Sequence, residues 1–293
     1  MDQDDSELIV RRVESTTQKL PDRHQEEISR LIEAQAQPAA GISERMIEAE
    51  RKAFAPMGQL IQQDPNALAA VKELTTLNQE AIKAAKPAAV RGTHFLSGRM
   101  GMVHPARPGL NLFGPHYDWQ VLQPTQGHGA AASSDVRTGS FGVSHGQGVG
   151  AGGYRVATAG VSMALQAVNG GFARIAPLLE YEYWWKLTGF GLSAHTEGWC
   201  EMLVQDGSGS VLPQGRRTVR LWKHTSQTSA EGAYGDTIYT PDIETTVALA
   251  AGQIFHVTLT GTAVVVDSGD GLFAWSYANA WMRNLAVFFS VTF

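Results

Sequence analysis

The sequence predicts an α+β protein in which about four N-terminal helices precede an all-β antiparallel domain of sandwich or jelly-roll type. Residues 1–90 hold 26 of the 51 charged residues but only 2 of the 31 glycines, whereas all seven tryptophans follow residue 90. Long charged side chains lose little entropy in helices, while glycine, aromatic and β-branched residues favour turns and pleated surfaces. The spacing of apolar residues also changes there, from a helical period to a period of two.

Four helices are predicted within residues 1–88, each with an apolar stripe too narrow to bury much area alone. The stripes therefore need a partner surface, which is either the β domain of the same chain or the helices of another copy. The fourth helix has the clearest start, because a cap residue precedes proline at the first helical position. The first predicted helix begins after Asp4–Ser6 and ends at Pro21, and the second runs up to Pro38 and Gly41. The third begins at Ser43 and has an interruption at Pro56. The fourth begins at Asp64–Pro65 and stops by Pro87.

Residues 89–135 are predicted to form an irregular connector packed on the β domain, because prolines, glycines and histidines alternate there with large aromatic residues. The β domain itself is predicted over residues 136–293. In QIFHVTLTG, Phe255, Val257 and Leu259 form one apolar face, which is the two-residue period of a strand. The segment LAVFFSVTF at 285–293 alternates in the same way, and we expect this C-terminal strand to be central. Further alternation is centred on Tyr181–Trp185, Cys200–Val204 and Val219–Leu221.

Composition excludes several classes of function. A formal net charge of −5 provides no broad cationic field, so nucleic acid is not an expected partner. A single cysteine, Cys200, excludes an internal disulfide and a zinc site built on several thiolates, and no cofactor is expected. No apolar run approaches the roughly 20 residues of a membrane-spanning helix. The acidic start MDQDDSELIVRR predicts synthesis in the cytoplasm without a recognisable export signal, and the final location is left open.

Motifs for catalysis are weak. Gly148, Gly150 and Gly153 have the spacing of a dinucleotide-binding loop, but a strand rather than a helix is predicted to follow them. His195 and Glu197 would share one face of a strand, as a metal site or an acid–base pair requires. They lack a third ligand nearby, and His224 or His256 could supply it only if the fold brings those strands alongside. We therefore predict no metal and no catalytic residue, with His195 and Glu197 as weak candidates for a metal or enzyme site.

Aromatic residues suggest a binding face on the β domain. If Val219 and Leu221 face the core, the residues between and beyond them face outward, and the same reasoning places Trp184 beside Glu182. Exposed aromatic residues among charges often mark sites for glycans, lipids or protein partners. The alternative is that both faces are buried and the tryptophans form a second core. The candidate binding residues are Glu182, Trp184, Arg220, Trp222 and His224.

Three functions are compatible with these patterns. The favoured one is a non-catalytic binding or structural protein, whose helical segment joins copies of the chain into a homo-oligomer. An alternative is a pore-forming or membrane-damaging toxin, because residues 127–165 are almost uncharged and long enough for two membrane-spanning strands. A second alternative is an enzyme with a His/Glu site centred on His195.

Overall fold

The computed structural model shows a mostly β chain, and among the residues that it describes the helices lie between Asp22 and Ala84. It describes residues 10–13, 19–84, 111–113, 116–126, 130–145, 153–190, 193–228, 230–239, 243–267 and 275–292. The elements in chain order are β1 (Val10–Arg12), α1 (Asp22–Gln63), α2 (Pro65–Ala84), β2 (Asn111–Phe113), β3 (Trp119–Gln126), β4 (Ala130–Asp135), β5 (Ser140–His145), β6 (Gly153–Ala167), β7 (Gly171–Phe190), β8 (Ala194–Asp206), β9 (Val211–Ser226), β10 (Ala230–Tyr239), β11 (Thr245–Leu249), β12 (Ile254–Asp267) and β13 (Trp275–Thr292).

The described strands form two antiparallel sheets. The six-stranded sheet has the order β1-β6-β12-β8-β9, and β3 pairs with a second stretch of β6. The seven-stranded sheet has the order β10-β7-β13-β5-β4, while β11 pairs with β7 and β2 with β13. The expected central position of the C-terminal strand is confirmed, because β13 lies between β7 and β5.

The main hydrophobic core is built from alternate residues of strands in both sheets. Phe255, Val257 and Leu259 of β12 are fully buried in this core, which confirms the face assigned to them from the two-residue period. Leu179 of β7 and Phe289 of β13 belong to the same cluster. The two sheets therefore share one core that excludes water, and its burial is the main stabilising contribution to the β part of the chain.

The predicted fold class is wrong in its helical part, and the four-helix segment followed by a sandwich or jelly roll is not observed. The first described element is a strand, because β1 pairs with the edge of β6 where a helix was expected. The second and third predicted helices are one helix, α1, which continues through Pro38, Gly41 and Pro56. An internal proline removes one helical hydrogen bond, but the helix continues on either side of each proline. The fourth helix corresponds to α2.

The predicted start of the fourth helix is confirmed in atomic detail. The Asp64 carboxylate accepts hydrogen bonds from the backbone amides of Asn66 (2.9 Å) and Ala67 (3.3 Å). Pro65 occupies the first position of α2, where no amide hydrogen is needed. Asp64 thus separates α1 from α2 and caps the second helix.

The segment predicted as an irregular connector contributes strands wherever it is described. Within 89–135, β3 extends the six-stranded sheet and β4 forms an edge of the seven-stranded sheet. The proposed domain boundaries themselves stay a prediction. Among the described residues of 127–165, β4 and β5 pair as an antiparallel hairpin of the seven-stranded sheet, whereas β6 lies in the six-stranded sheet. Phe141, Val143 and Val161 of β5 and β6 contribute to the shared core.

Candidate functional site

The N-terminal half of α1 covers the outer face of the six-stranded sheet. A second hydrophobic cluster joins the two, and it is distinct from the core between the sheets. Apolar residues of α1 recur at helical spacing, so their side chains lie on one face of the helix and meet the sheet together. The members from the helical side are Leu20, Ile28, Leu31, Ile32 and Ala36, and those from the sheet include Trp119, Val121, Val156, Trp199, Leu203, Val264 and Val266.

The sheet surface under this helix is partly polar, although it is buried. Hydroxyl groups on β6 and β12 pair across the strands, with 2.8 Å between Thr158 Oγ1 and Thr262 Oγ1 and 2.7 Å between Ser162 Oγ and Thr258 Oγ1. Of these residues, Thr258 belongs to QIFHVTLTG, where the alternation predicts that it lies opposite the apolar face of Phe255, Val257 and Leu259. Solvent does not reach them because α1 lies above them, so their hydrogen bonds must be made within the protein.

Three polar contacts fix α1 along the sheet. At its start, His24 Nε2 lies 2.9 Å from the carbonyl oxygen of Asp206. In the middle, Arg216 Nη2 donates to Gln35 Oε1 at 2.9 Å. Further along, the Glu50 carboxylate accepts hydrogen bonds from Ser193, at 2.6 Å from its backbone amide and 2.8 Å from its hydroxyl. The helix therefore runs beside the full length of β8 and is held at both ends of it.

Four polar side chains of β8 point toward this helix, and we call them the β8 polar row: His195, Glu197, Glu201 and Gln205. Each of these side chains is buried. Because alternate residues of a strand face the same side, the spacing of two and four places them on one surface. Side chains this buried meet a substrate only if α1 moves away from the sheet.

Glu201 is the most deeply buried acid of the row, with an exposed fraction of 0%. Its Oε1 accepts hydrogen bonds from Arg216 Nε and from the hydroxyl of Thr218, which lies 3.2 Å away. Its Oε2 is buried and has no hydrogen-bond partner among the described residues. Burial raises the pKa of Glu201, and the nearby positive charge of Arg216 opposes that shift.

His195 and Glu197 do lie together, as the sequence suggested. His195 Nε2 is 3.7 Å from Glu197 Oε2, and His195 Nδ1 is 2.8 Å from the hydroxyl of Thr225. Glu197 also accepts a hydrogen bond from Arg220 Nε at 2.7 Å and lies 3.4 Å from Lys223 Nζ. Burial alone would raise the pKa of Glu197, but His195, Lys223 and Arg220 together hold it below its ordinary value.

The histidines considered as third ligands lie elsewhere. His224 stacks on Trp185 with 4.6 Å between ring centroids, and His256 stacks on Trp119 at 5.0 Å. Within the described ranges, no three His, Cys, Asp or Glu side chains come close enough to hold a metal ion. The arrangement at His195 and Glu197 is an ion-pair network, in which two cations neutralise one buried carboxylate.

The predicted exposure of the aromatic binding face is wrong. Trp184 and Trp222 have exposed fractions of only 4% and 6%. Trp222 stacks on Tyr183 of the opposite sheet at 4.7 Å, and its Nε1 donates to Thr196 Oγ1 at 3.0 Å. Trp184 Nε1 donates to Glu231 Oε1 at 2.8 Å. Both tryptophans are therefore buried, Trp222 in the core between the sheets and Trp184 outside that core, on the opposite face of β7.

A β-bulge explains why the aromatic face was misassigned. Gly198 pairs with Trp222 but Trp199 pairs with Arg220, so the ladder skips one residue of β9. One extra residue reverses the faces that follow it, since the side-chain period is two. Trp222 therefore turns inward, over Gly198, where a Cβ atom would lie only 2.0 Å from the indole ring.

The five candidate binding residues consequently occupy separate places. Trp222 and His224 face the seven-stranded sheet, whereas the exposed Arg220 lies on the other face of β9, beside Glu197. Glu182 and Trp184 are buried on β7, alternating with Tyr183 and Trp185, which face β9. Whether any of the five binds a ligand stays a prediction.

Sequence reasoning missed the residues that join helix and sheet, namely His24, Glu50, Glu201 and Arg216. For Glu201 a signal was available, because it follows His195 and Glu197 at an even spacing on the same strand. Arg216 lies in β9, the hairpin partner of β8, and hairpin pairing would bring it close to Glu201. For His24 and Glu50 the sequence has no such signal, since their partners depend on how α1 crosses the sheet.

Comparisons with known proteins do not assign a family. No family model matches the chain, and no curated protein matches it. Among solved structures, isomalto-dextranase of Arthrobacter globiformis T6 in complex with panose is 15% identical with a TM-score of 0.19, and the match covers 61% of this chain and 24% of that one. The enzymatically active domain of bacteriophage CBA120 tailspike protein 4 is 13% identical with a TM-score of 0.15, covering 54% and 19%.

A third match is infectious bursal disease virus, Gx strain, at 10% identity and a TM-score of 0.15, covering 64% of this chain and 40% of that one. The chain thus spans less than half the length of each of these three proteins. TM-scores this low do not establish a shared fold, so these similarities assign neither fold nor function.

Two absences are established for the described residues. Cys200 is buried and forms no disulfide, and burial raises the pKa of its thiol to about 12. In the described helices, no stretch combines the length and the apolar character needed to cross a membrane.

Proposed function

We propose that the protein is a non-catalytic structural or binding protein, in which the two-sheet body carries the helical segment as an element that joins copies of the chain. The observation that supports this proposal is the exposure of apolar side chains beyond the part of α1 that covers the sheet. Met57 and Leu60 on α1 have exposed fractions of 53% and 68%, and Leu77 on α2 has 53%. The free energy falls if another surface removes these side chains from water.

The occupant that we propose for these side chains is the helical segment of a second copy. Met57 and Leu60 are three residues apart and share one helix face, and charged residues such as Lys52 flank that face, as in coiled-coil seams. Among the described elements, α2 makes its main contacts with α1. A helix with few other contacts is marginally stable in water, so association would stabilise it.

The buried acids of the β8 polar row support a structural role in the same protein. Glu201 pairs with Arg216, which also donates to Gln35 of α1, so this ion pair links the sheet to the helix. Glu197 is neutralised in the same row by Arg220. Neither acid reaches solvent where a substrate would bind. The β8 polar row thus helps to fix the first half of α1 on the two-sheet body.

Light scattering after size-exclusion chromatography tests the proposal. We expect the full chain to elute with a mass that is a multiple of 31.6 kDa. A triple variant, Met57→Gln, Leu60→Gln and Leu77→Gln, should shift the mass toward the monomer without changing the far-ultraviolet circular dichroism of the sheets. The matched control is Phe172→Gln, which replaces a 72% exposed aromatic residue of β7 and should leave the mass unchanged. A wild-type chain that stays monomeric at every concentration reached would contradict the proposal.

A further inference from the structure

Two histidines face each other where α1 begins to cover the six-stranded sheet. His24 belongs to the first turn of α1 and His256 to β12, and the centroids of their rings are 4.1 Å apart. Trp119 of β3 stacks on His256 at 5.0 Å with 17° between the planes. Both imidazoles are buried. His256 thus contacts the helix on one side and the neighbouring strands on the other.

The hydrogen bonds of this pair suit neutral rings. His24 Nε2 lies 2.9 Å from the carbonyl oxygen of Asp206, but the Nδ1 atoms of His24 and His256 are buried and have no hydrogen-bond partner among the described residues. A neutral imidazole needs only one donor satisfied, whereas a protonated ring carries two N–H donors. Protonation would therefore bury an unpaired donor on each ring and place two positive charges side by side.

Nearby carboxylates are already engaged by other groups. Asp206 Oδ1 accepts hydrogen bonds from the amides of Ser208 (2.8 Å) and Ser210 (3.1 Å). Asp118, at the start of β3, accepts from the amide of Ala164 at 2.9 Å and pairs with Arg12 at 3.4 Å. On α1, the residue beside His24 is the cationic Arg23. The surroundings thus offer little compensation for a charge on either ring, although Asp206 attracts it weakly.

The pKa values agree in direction with this geometry. The pKa of His256 is lowered to about 4, mainly by burial and also by the charge on His24, while Asp206 partly opposes the shift. Burial also lowers the pKa of His24, against the effect of the Asp206 carbonyl and carboxylate. Both rings therefore resist protonation while α1 is docked.

We propose that the His24–His256 pair is an acid-sensitive latch, whose protonation releases the first turns of α1 from the six-stranded sheet. Release exposes both rings to water, where each can carry its charge. The latch is local, because the contacts of Gln35 and Glu50 hold the helix further along. The device is independent of what the far end of the helical segment binds.

Linkage gives the direction and size of the effect. A group with a lowered pKa in the docked state favours docking above its ordinary pKa, and this advantage is lost as the pH falls toward the docked value. With a docked pKa of about 4 and a released value of 6.5 for His256, release should be favoured about 30-fold more at about pH 5 than at about pH 8. His24 adds to this change in the same direction.

Amide hydrogen exchange read by mass spectrometry tests the latch on the full chain. Protection factors, which correct for the intrinsic effect of pH, are compared at the two pH values for peptides from residues 22–36. We expect protection of these peptides to fall about 30-fold on acidification in the wild type, and to change only a few-fold in His256→Phe. The matched control is His224→Phe, because His224 also stacks on a tryptophan but lies away from α1.

The outcomes are decisive in both directions. Full pH dependence in His256→Phe, or its loss in His224→Phe, would overturn the proposal. If His256→Phe does not fold, nuclear magnetic resonance titration of the His256 ring in the wild type replaces it. A ring that titrates near its ordinary pKa while the protection of residues 22–36 stays constant would equally overturn the latch.

Discussion

The helical segment has two halves, α1 up to Glu50 and the remainder of α1 together with α2. They have similar compositions but opposite surroundings. In the first half of α1, Ile28, Leu31 and Ile32 are buried against the sheet. Beyond Glu50, large apolar residues such as Met57 and Leu60 are exposed to solvent. Both halves have narrow apolar stripes flanked by charges, so amphipathicity alone does not decide which half finds a partner within the chain. The difference arises from what the sheet offers beneath each half.

The comparison also separates two ways of holding a helix. The first half combines an apolar stripe with polar contacts at His24, Gln35 and Glu50, which fix its position along β8. The outer part relies on packing between α1 and α2. We therefore expect substitutions in the first half to change the stability of the whole protein, and substitutions in the outer part to change local helix stability or assembly.

The largest effect is expected at the ion pair under the first half. Arg216→Ala should lower the free energy of unfolding by about 3 kcal/mol at neutral pH, because it leaves the buried carboxylate of Glu201 without its cation. The deficit should shrink as the pH falls toward the ordinary carboxyl pKa of 4.5. A carboxyl group whose pKa is raised in the folded state stabilises the protein at low pH. This stabilisation is lost as the pH rises through the folded-state pKa. Urea denaturation at several pH values measures both effects.

Two further variants sharpen this prediction. Adding Glu201→Gln to Arg216→Ala should recover much of the loss, because the buried charge is then removed. Arg217→Ala is the control, since the neighbouring Arg217 is exposed and donates hydrogen bonds to the backbone oxygens of Glu244 at 3.1 Å and Arg216 at 3.3 Å. A loss that persists in the double variant would show that Arg216 acts through packing rather than charge.

A direct contrast of the two halves is expected from truncating one apolar side chain in each. Ile28→Ala should destabilise the protein by about 2–3 kcal/mol, because Ile28 is completely buried in the helix–sheet cluster. Leu60→Ala should change the stability of the monomer by less than about 0.5 kcal/mol, since that side chain is exposed. Thermal and urea unfolding at low protein concentration compare them, and equal effects would contradict the distinction drawn between the halves.

The boundary between the halves can be located at Glu50. Glu50→Ala removes both hydrogen bonds to Ser193 and the 2.5 Å contact with Gln227 Nε2, and should lower stability by about 1–2 kcal/mol. Hydrogen exchange should rise around residues 45–55 while residues 22–36 keep their protection. Glu48→Ala is the matched control, because its side chain is exposed and pairs only with Lys52 in the described structure. Uniformly faster exchange along α1 would show that the boundary lies elsewhere.

The smallest effect on the whole protein is expected at the cap of α2. Asp64→Ala removes the side-chain bonds to Asn66 and Ala67 and should destabilise α2 by about 1 kcal/mol. The change should appear as faster amide exchange at the start of α2, with the unfolding midpoint of the sheets unchanged. Asp64→Asn is the control, since asparagine caps helices about as well. A matching fall in the stability of the sheets would mean that α2 is coupled to the body.

Local signals in the sequence were reliable where one residue or one strand was sufficient. The cap at Asp64 and Pro65 was predicted correctly, because it depends on neighbouring backbone amides. The faces of β12 were also predicted correctly, since Phe255, Val257 and Leu259 need only a period of two. The expectation of β structure after residue 90 was confirmed for the described residues.

Predictions were wrong where the answer depended on distant residues. Val10–Arg12 form a strand because the edge of β6 offers hydrogen bonds, which a helical pattern in the N-terminus cannot reveal. The bulge opposite Gly198 reversed the face of Trp222, and no local pattern marked it. Pro38 and Pro56 predicted helix ends, but α1 continues through both of them.

The sequence by itself determined the cap between the helices and the alternation of strands such as β12 and β13 that forms the core between the sheets. These features follow from steric preferences and periodicity that act within a few residues. Only the tertiary structure decided that α1 crosses the six-stranded sheet, that Glu201 and His256 are buried beneath it, and that Trp184 and Trp222 are buried. Those outcomes depend on contacts between residues more than a hundred positions apart, such as His24 with Asp206, and a linear pattern contains no record of them.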